Sequence, residues 1–255
     1  MKNNKSLGQH WLKNRQILDQ IAVLASPEGL SAERCLEIGP GLGTLTSALL
    51  RRFKAVTAVE FDANLAANLP KSFPGKKLTV IHQDFLNFNL QSISQPYSVV
   101  GNIPYYITSP IIQKLLKSSN APQIIVLLIQ KEVAQRIVAE RGHHTLLSLS
   151  VQNLASATLG PLVSKSEFVP PPKVDSQVII LEPRLTPIIP PDTFSFIKIG
   201  FSSPRKKLLA NLTSGLALER EQLKRYFDSL AIDHDVRPAD LDLLTWAALQ
   251  QAIKH

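Results

Sequence analysis

The sequence predicts an α/β fold in which a mostly parallel β-sheet is covered by helices, followed by a small all-helical domain. Short β-rich segments alternate with helical stretches between residues 35 and 140, which is the pattern of strand–helix–strand units. The segment 124–129 is apolar without alternation, as expected for a strand buried on both faces of such a sheet. Beyond residue 192 only helical patterns follow.

Five strands and four helices are predicted in the first part of the chain. The strands are 35–38, 55–61, 78–83, 97–101 and 124–129. The helices are 45–52, 63–69, 110–117 and 131–140, and the third of them starts with proline, as helices often do. Two later β-rich segments, 157–163 and 177–181, flank a proline-rich loop and are expected to add an antiparallel end to the sheet.

A proline-rich linker separates the sheet domain from the helical one. The prolines stand at positions 183, 187, 190 and 191, and they stiffen the chain because proline fixes φ and has no N–H donor. Helices are predicted beyond them over 193–202, 204–216, 220–230 and 239–254. The predicted domains are therefore 1–185, which contains the sheet, and 186–255, which is helical.

The composition narrows the class of protein. The 255 residues include 28 Lys and Arg against 20 Asp and Glu, a net charge of +8 that favours polyanionic partners without identifying one. The lone cysteine, Cys35, excludes a disulfide framework and a cysteine-based zinc site. No apolar stretch approaches the roughly 20 residues of a membrane span, and the N-terminus lacks the apolar core of a secretory signal. We expect a monomeric cytoplasmic protein without a metal ion and without membrane association.

Glycines and acids follow the first three strands, at the edge where open parallel sheets bind ligands. Strand 35–38 leads into Gly39, Gly41 and Gly43, which allow the backbone to approach a ligand closely. The next two strands end at Glu60 and Asp84, which can accept hydrogen bonds from ribose hydroxyls and from an amine such as that of adenine. A phosphate-binding loop requires a lysine after its glycines, and no lysine follows the glycines here. The pattern therefore indicates an adenosine without phosphates and points to S-adenosylmethionine.

The fourth strand leads into a segment, 101–106, that suits the amino group of a nucleobase. That amino group is a poor nucleophile because its lone pair is delocalised into the ring. The side-chain oxygen of Asn102 and the backbone carbonyl of Ile103, held outward by Pro104, can accept its N–H bonds and localise the lone pair. Tyr105 offers a flat face on which a base can stack, which is worth about 1–3 kcal/mol in nucleic-acid complexes.

With these residues in place, the chain resembles the ribosomal RNA adenine N6,N6-dimethyltransferase family, class I methyltransferases with a Rossmann-like sheet. The shared motifs span nearly the whole chain: KSLGQHWL at 5–12, EIGPGLGTLT at 37–46, VEFD at 59–62, QDFL at 83–86, NIPYYITSPI at 102–111, QKEVAQRI at 130–137 and FVPPPKVDS at 168–176. The last motif and the helical C-terminal domain favour the branch that acts on 16S rRNA in the small ribosomal subunit.

The resemblance implies that residues 1–185 bind S-adenosylmethionine and that 186–255 form an RNA-docking domain. The cofactor-binding residues that it implies are His10, Leu12, Gly39, Glu60, Asp84 and Asn102. His10 stands where the family often has asparagine. Asn102 is implied to be catalytic as well, because it borders both the cofactor and the target base, and Tyr105 is the second residue implied to be catalytic.

The resemblance also implies how the RNA is held. Tyr105 is implied to stack on the flipped target adenine, with Phe168 as a second aromatic wall, and the basic cluster Arg205, Lys206 and Lys207 is implied to dock the RNA. The implied product is two adjacent N6,N6-dimethyladenosines near the 3′ end of 16S rRNA. No metal ion takes part in the implied reaction.

Two alternative functions and the role of one residue stay open from the sequence. The chain could instead be a 23S rRNA adenine methyltransferase of the macrolide-resistance type, or a ribosome assembly factor that keeps the fold without catalysis. The role of Glu37 is also open, because this acid either orients the charged end of the cofactor or is a hydrogen-bonded carboxylate at the end of a strand.

Overall fold

The computed structural model describes residues 10–27 and 33–254. Contacts within the chain divide it into two compact units. The first unit comprises the residues up to 134 together with 156–183, and the second unit comprises 135–155 together with the residues from 184 onward. The change of unit after residue 183 lies beside the domain boundary at 185 that the sequence predicts.

The strands of the described chain lie in the first unit apart from one terminal residue. They are β1 (Trp11–Leu12), β2 (Arg34–Ile38), β3 (Ala55–Glu60), β4 (Leu78–His82), β5 (Tyr97–Asn102), β6 (Ile124–Gln130), β7 (Ala155–Val163), β8 (Phe168–Val169) and β9 (Ser176–Pro183). Seven of them form one sheet in the order β4-β3-β2-β5-β6-β9-β7. The five strands from β4 to β6 are parallel, and β9 is antiparallel to β6. The predicted parallel sheet with an antiparallel end is confirmed.

Helices flank this sheet and make up the second unit. The helices that lie in or start in the first unit are α1 (Arg15–Leu24), α2 (Thr44–Arg52), α3 (Ala63–Asn68), α4 (Thr108–Leu116) and α5 (Lys131–Ile137). Those of the second unit are α6 (Leu146–Leu154), α7 (Pro191–Gly200), α8 (Leu208–Leu216), α9 (Arg220–Ser229) and α10 (Leu243–Lys254). Among the described residues, none of these helices is both long enough and apolar enough to cross a membrane.

The strand order reverses beside β2, and this reversal positions the ligand site. The chain passes from β2 to β3 and β4 on one side, and then returns to place β5 and β6 on the other side. In open sheets of this type, ligands bind at the carboxyl ends of the strands where the order reverses. The residues that follow β2, β3, β4 and β5 are therefore the ones that face a common crevice.

A separate two-stranded sheet joins the start of the described chain to the loop before β9. Its strands β1 and β8 pair antiparallel, with Leu12 opposite Phe168. Helix α1 follows directly, and the side chain of Asn14 caps it by accepting from the backbone N–H groups of residues 16 and 17. Strands of two residues have no periodic pattern and are not predicted from the sequence. Helix α1 has a recognisable signal, because Asn14 is a good N-cap and Leu18 and Ile21 are spaced for one buried face.

The second unit departs from the prediction at two helix starts. Residues 204–207 form a turn, and α8 begins only at Leu208, whose backbone N–H donates to the carbonyl of Val236. The predicted helix 239–254 is interrupted as well, because Pro238–Asp240 is a short 3₁₀ turn and α10 begins at Leu243. The side chain of Asp242 accepts from the backbone N–H of Thr245 and so caps the start of α10.

Residues 135–155 also belong to the second unit, whereas the prediction places them in the sheet domain. The reason is the burial of α6. Leu149 is fully buried in the hydrophobic cluster that contains Trp246. The side-chain oxygen of Asn153 accepts from the backbone N–H of Ile189, at 2.8 Å. These contacts join the segment to the helices that follow the proline-rich linker.

Candidate active site

A cavity of about 240 Å³ lies at the carboxyl ends of the parallel strands of the first unit. Seven residues that the sequence analysis assigns to the cofactor or to the base line this cavity together: His10, Leu12, Gly39, Glu60, Asp84, Asn102 and Tyr105. They come from five separate segments of the chain. The convergence of the five residues from 39 onward follows from the sheet topology, which brings the ends of β2, β3, β4 and β5 to one edge, whereas His10 and Leu12 come from the segment that contains β1.

The glycine turn after β2 is held close to the end of β3. The backbone N–H of Gly39 donates to the carbonyl of Val59 at 2.9 Å. At Gly41, φ is +57°, and an added Cβ would lie 3.0 Å from Nε1 of Trp11. A side chain at this position is therefore opposed both by the backbone conformation and by the indole ring. The turn presents its backbone to the cavity at this point.

Glu60 is buried at the end of β3, and backbone groups hold both of its carboxylate oxygens. Oε2 accepts from the N–H of Gly41 at 3.0 Å, and Oε1 accepts from the N–H of Asp62 at 2.8 Å. Burial raises the pKa of Glu60 although both hydrogen bonds favour the charged form. Each oxygen keeps a second lone pair, so the fixed carboxylate can still accept from two hydroxyl groups of a ligand.

Asp84 lies half-buried after β4 and caps the short turn that follows it. Its Oδ1 accepts from the backbone N–H of Leu86 at 2.9 Å. Its Oδ2 makes no hydrogen bond with the described part of the chain and remains available as an acceptor on the cavity wall. This arrangement suits an amino group of a ligand, since the capping bond fixes the carboxylate while one oxygen is still unused.

Glu37 is buried behind the glycine turn and is not among the residues that line the cavity. Oε2 accepts from the hydroxyl of Thr46 at 2.7 Å, whereas Oε1 is buried with no hydrogen-bond partner among the described residues. Burial raises the pKa of Glu37 to about 8, and the nearby charge of Glu60 adds to the rise. The hydrogen bond from Thr46 lowers this pKa, but by less than burial raises it. The structure thus describes a hydrogen-bonded acid at a strand end.

Asn102, the last residue of β5, is oriented by the segment that contains β1. Its Nδ2 donates to the backbone carbonyl of His10 at 2.9 Å. Because Nδ2 is engaged, the side-chain oxygen of Asn102 is the atom left to accept a hydrogen bond at the cavity. The imidazole of His10 is itself held, since its Nδ1 lies 2.8 Å from the carbonyl of Pro170. That carbonyl can only accept, so Nδ1 is the nitrogen that donates this hydrogen bond.

Tyr105 is anchored at both its ring and its hydroxyl. The hydroxyl lies 2.9 Å from Oγ of Ser176, and the ring is stacked with the imidazole of His10 at a centroid distance of 6.3 Å and an interplanar angle of 21°. Burial raises the pKa of Tyr105. The sequence analysis does not identify Ser176 as a site residue, although it is the last residue of the motif at 168–176.

A second tyrosine at the cavity is also missed by the sequence analysis. Tyr106 lines the cavity and is 68% exposed. The signal for it is the repeated tyrosine in the motif at 102–111, where only the first of the pair is given a role. Trp11 is missed in the same way, and it lines the cavity next to Gly41.

Four predicted RNA-binding residues are not among the residues that line the cavity. Phe168 is only 2% exposed and packs in the hydrophobic cluster that contains Leu12, its partner across the two-stranded sheet. The basic cluster lies in the second unit, where its three side chains are exposed in the turn before α8. In that cluster, Lys207 forms an ion pair with Asp235 at 2.5 Å.

No candidate metal site is present in the described ranges 10–27 and 33–254. In those ranges, no group of three or more His, Cys, Asp and Glu side chains is placed to hold a metal ion. The single thiol, Cys35 on β2, is buried in a hydrophobic cluster, and burial raises its pKa well above the ordinary value. It is therefore a core side chain in this structure.

The chain is similar to proteins of known family over nearly its whole length. The family described as "Ribosomal RNA adenine dimethylase" matches residues 1–249. Similar curated relatives include proteins named "Ribosomal RNA small subunit methyltransferase A". That of Acaryochloris marina is 42% identical over 263 residues, 98% of this chain and 96% of its own length. That of Dehalococcoides mccartyi is 36% identical over 257 residues, 98% of this chain and 88% of its own.

Two solved structures share the fold at similar coverage. A dimethyladenosine transferase from Plasmodium falciparum superposes with a TM-score of 0.79 at 27% identity, covering 95% of this chain and 97% of that one. The 23S rRNA methyltransferase ErmE gives a TM-score of 0.77 at 26% identity, covering 96% and 100%. The fold is therefore the Rossmann-like class I methyltransferase fold that the sequence predicts. Together with the matched relatives, these likenesses establish that the chain belongs to the ribosomal RNA adenine dimethylase family.

Proposed function

We propose that this protein uses S-adenosylmethionine to dimethylate, at N6, two adjacent adenosines near the 3′ end of 16S rRNA in the small ribosomal subunit, in the cytoplasm and as a monomer. The observation that carries the proposal is that acceptors for a cofactor and an acceptor for a target base line the same cavity. Glu60 and Asp84 suit an adenosine-bearing cofactor, and the amide oxygen of Asn102 suits the amino group of a target base. The curated relatives named for the small subunit support the choice of RNA.

The residues at the cavity fit the proposed cofactor. Glu60 has both oxygens fixed by backbone N–H groups and can still accept from the two ribose hydroxyls. Asp84 has one unused oxygen for the adenine amine. At Gly41 an added Cβ would contact the indole of Trp11, so the backbone turn has room for a ligand only while this residue has no side chain. When bound, this cofactor supplies an electrophilic methyl group, and the absence of a lysine after the glycines agrees with a ligand that has no phosphates.

Asn102 is the residue that prepares the target amine. The bond from its Nδ2 to the carbonyl of His10 sets the amide so that the oxygen accepts an N–H bond of N6. A second acceptor is the carbonyl of Ile103, whose position Pro104 restrains. These acceptors concentrate the lone pair on N6 and stabilise the positive charge that develops there, which is electrostatic stabilisation by preorganised groups. The proton leaves N6 only after the amine has become acidic, so a strong base is not required.

Tyr105 holds the target base in place. An adenine must leave its stack to enter the cavity, which costs a few kcal/mol and is easiest in a loop or an unpaired junction. The ring of Tyr105, fixed by Ser176 and His10, provides a replacement stacking surface. In this proposal, Phe168 supports the site from the hydrophobic cluster, and Arg205, Lys206 and Lys207 contribute to RNA docking through their charge.

The experiment that tests the proposal is methyl transfer from labelled S-adenosylmethionine to unmethylated small ribosomal subunits, with large subunits as the control. We expect N6,N6-dimethyladenosine in digests of the small-subunit RNA alone. Label in 23S rRNA would instead support the resistance-type activity, for which the similarity to ErmE is the relevant observation. Cofactor binding without transfer to either subunit would contradict both activities and leave an assembly role.

A further inference from the structure

We propose that Tyr106 is a separate binding subsite for the base next to the target adenine. The proposal rests on the proposed function, in which two adjacent adenosines are modified. Tyr105 and Tyr106 both line the cavity, but only Tyr105 is anchored by contacts with other described residues. Tyr106 is the exposed one, so the two rings divide into an inner surface for the target base and an outer surface for its neighbour.

Tyr106 presents an exposed aromatic ring at the cavity. Its side chain is 68% exposed, and among the described residues it has neither a hydrogen-bond partner nor a ring partner. A large ring that contacts little of its own protein contributes little to folding, because hydrophobic stabilisation follows the apolar area removed from water. A ligand that covers this ring therefore removes apolar area from water on binding, because folding has left that area exposed.

The local backbone explains why the two rings diverge. Tyr105–Ile107 forms one turn of 3₁₀ helix, closed by the N–H of Ile107 donating to the carbonyl of Pro104 at 3.2 Å. Such a helix has three residues per turn, so successive side chains point about 120° apart. When Tyr105 points inward to Ser176, Tyr106 must point in a different direction. This geometry separates an anchored ring from an exposed one.

The turn that carries Tyr106 is restrained at both ends. It follows Asn102, which is bound to the carbonyl of His10, and it runs directly into α4, whose first residue, Thr108, is buried. An aromatic ring on such a restrained turn loses little freedom when a base stacks on it. Preorganised contacts of this kind give more affinity than contacts that must be ordered on binding.

The chemistry of the substrate identifies the occupant. When the target adenine leaves its stack, the neighbouring base loses a stacking partner and exposes one face. The adjacent residue in the RNA is itself an adenosine, and a purine offers a large face for an aromatic ring. Stacking of a base on an aromatic side chain is worth about 1–3 kcal/mol, so loss of the Tyr106 ring should weaken RNA recognition by about 5- to 150-fold.

The test is a cycle of changes on both sides of the proposed contact. Tyr106→Ala and Tyr106→Phe are compared with the wild type on unmethylated small subunits, and on subunits in which one of the two adenosines is replaced by uridine. We expect Tyr106→Ala to raise KM for unchanged subunits by about 5- to 150-fold, and Tyr106→Phe to restore it because it keeps the ring. With uridine as the neighbour, a poorer stacking partner, the effect of Tyr106→Ala should be clearly smaller.

Controls separate this subsite from the proposed function itself. Leu162, 53% exposed on β7 and absent from the cavity wall, provides a matched loss of exposed apolar surface as Leu162→Ala, which should leave KM unchanged. The affinity of Tyr106→Ala for S-adenosylmethionine should also match the wild type. A KM within twofold of the wild type, or equal effects with adenosine and uridine neighbours, would overturn the subsite. Failure of the wild type to modify small subunits would instead overturn the proposed function and, with it, the subsite.

Discussion

The side-chain amide of Asn102 donates through Nδ2 to the backbone carbonyl of His10, at 2.9 Å, across 92 positions of sequence. This bond joins the end of β5 to the segment that carries β1. It assigns the donor of the amide to the protein and leaves the acceptor for a ligand. The orientation of the acceptor thus depends on the backbone of residue 10 and not on the identity of its side chain.

The first prediction concerns this amide. Asn102→Ala removes a preorganised acceptor, and we expect the rate of methyl transfer to fall by about 10²- to 10³-fold. Asn102→Asp keeps an oxygen but loses the donor, which turns a carboxylate towards the carbonyl of His10, so a large loss is expected here too. Single-turnover rates at saturating cofactor measure the effect, and calorimetry checks that the cofactor still binds.

His10→Ala is the matched control for this prediction. It keeps the backbone carbonyl that accepts from Asn102 while it removes the imidazole that stacks with Tyr105. We therefore expect a smaller loss of rate than for Asn102→Ala. An Asn102→Ala enzyme with near-wild-type rate and normal cofactor binding would contradict the assigned role.

The second prediction separates the ring of Tyr105 from its hydroxyl. Tyr105→Phe and Ser176→Ala remove the same 2.9 Å hydrogen bond from opposite sides, so each should lower kcat/KM by a similar factor of about 2 to 13, and the double variant by little more. Tyr105→Ala removes the stacking surface and should lose more activity. Equal losses for Tyr105→Phe and Tyr105→Ala would show that the hydroxyl, not the ring, is the essential group.

The sheet could be predicted from the sequence because each of its strands has its own signal. Unbroken apolar character marks β6, and turn residues bound the strands that precede it. The two-stranded sheet could not be predicted, because β1 and β8 have two residues each and depend on a pairing across more than 150 positions. That pairing also buries Phe168 against Leu12, which is why its exposure could not be read from the motif.

The residues of the site also include some whose position could be predicted from the sequence and some contacts that could not. Glu60, Asp84 and Asn102 converge because they lie at or just after the carboxyl ends of parallel strands, so their meeting follows from the topology alone. Their detailed partners do not follow from it. The bond to the carbonyl of His10 depends on where the N-terminal segment lies, and the contact of Tyr105 with Ser176 depends on the loop before β9.

The third prediction is that Glu37 makes stability fall as pH rises. In an unfolded chain its pKa is the ordinary 4.5, whereas burial raises it to about 8 in the folded protein. The folded state therefore binds more protons between these values, and a group with a raised pKa contributes stability that is complete below pH 4.5 and lost as pH rises towards 8. The slope is at most about 1.4 kcal/mol per pH unit.

Glu37→Gln isolates this effect, because glutamine does not titrate and its oxygen can still accept from Thr46. Urea unfolding of both proteins should be measured from pH 5 to pH 8. The stability of the wild type relative to the variant should decrease steadily across this range, while contributions from other groups such as Glu60 largely cancel in the difference. Parallel curves would contradict the assignment of the buried proton to Glu37.

The last prediction concerns the close packing at the start of α2. Gly43 has φ of +82°, and an added Cβ would lie 2.6 Å from Cδ1 of Leu69 and 2.8 Å from the ring of Phe73. Gly75 has a comparable φ of +72° but no atom within 4 Å of an added Cβ. Comparing Gly43→Ala with Gly75→Ala therefore separates steric overlap from backbone strain, since both substitutions place alanine in the left-handed region.

Backbone strain alone should cost about 1–2 kcal/mol in the free energy of unfolding, and this is the expected effect of Gly75→Ala. Gly43→Ala should cost about 1–3 kcal/mol more, because Leu69 and Phe73 must shift to admit the methyl group. Both values can be measured by urea unfolding at a single pH. Equal losses for the two variants would mean that the side chains give way without cost, and that only the left-handed backbone requires glycine at position 43.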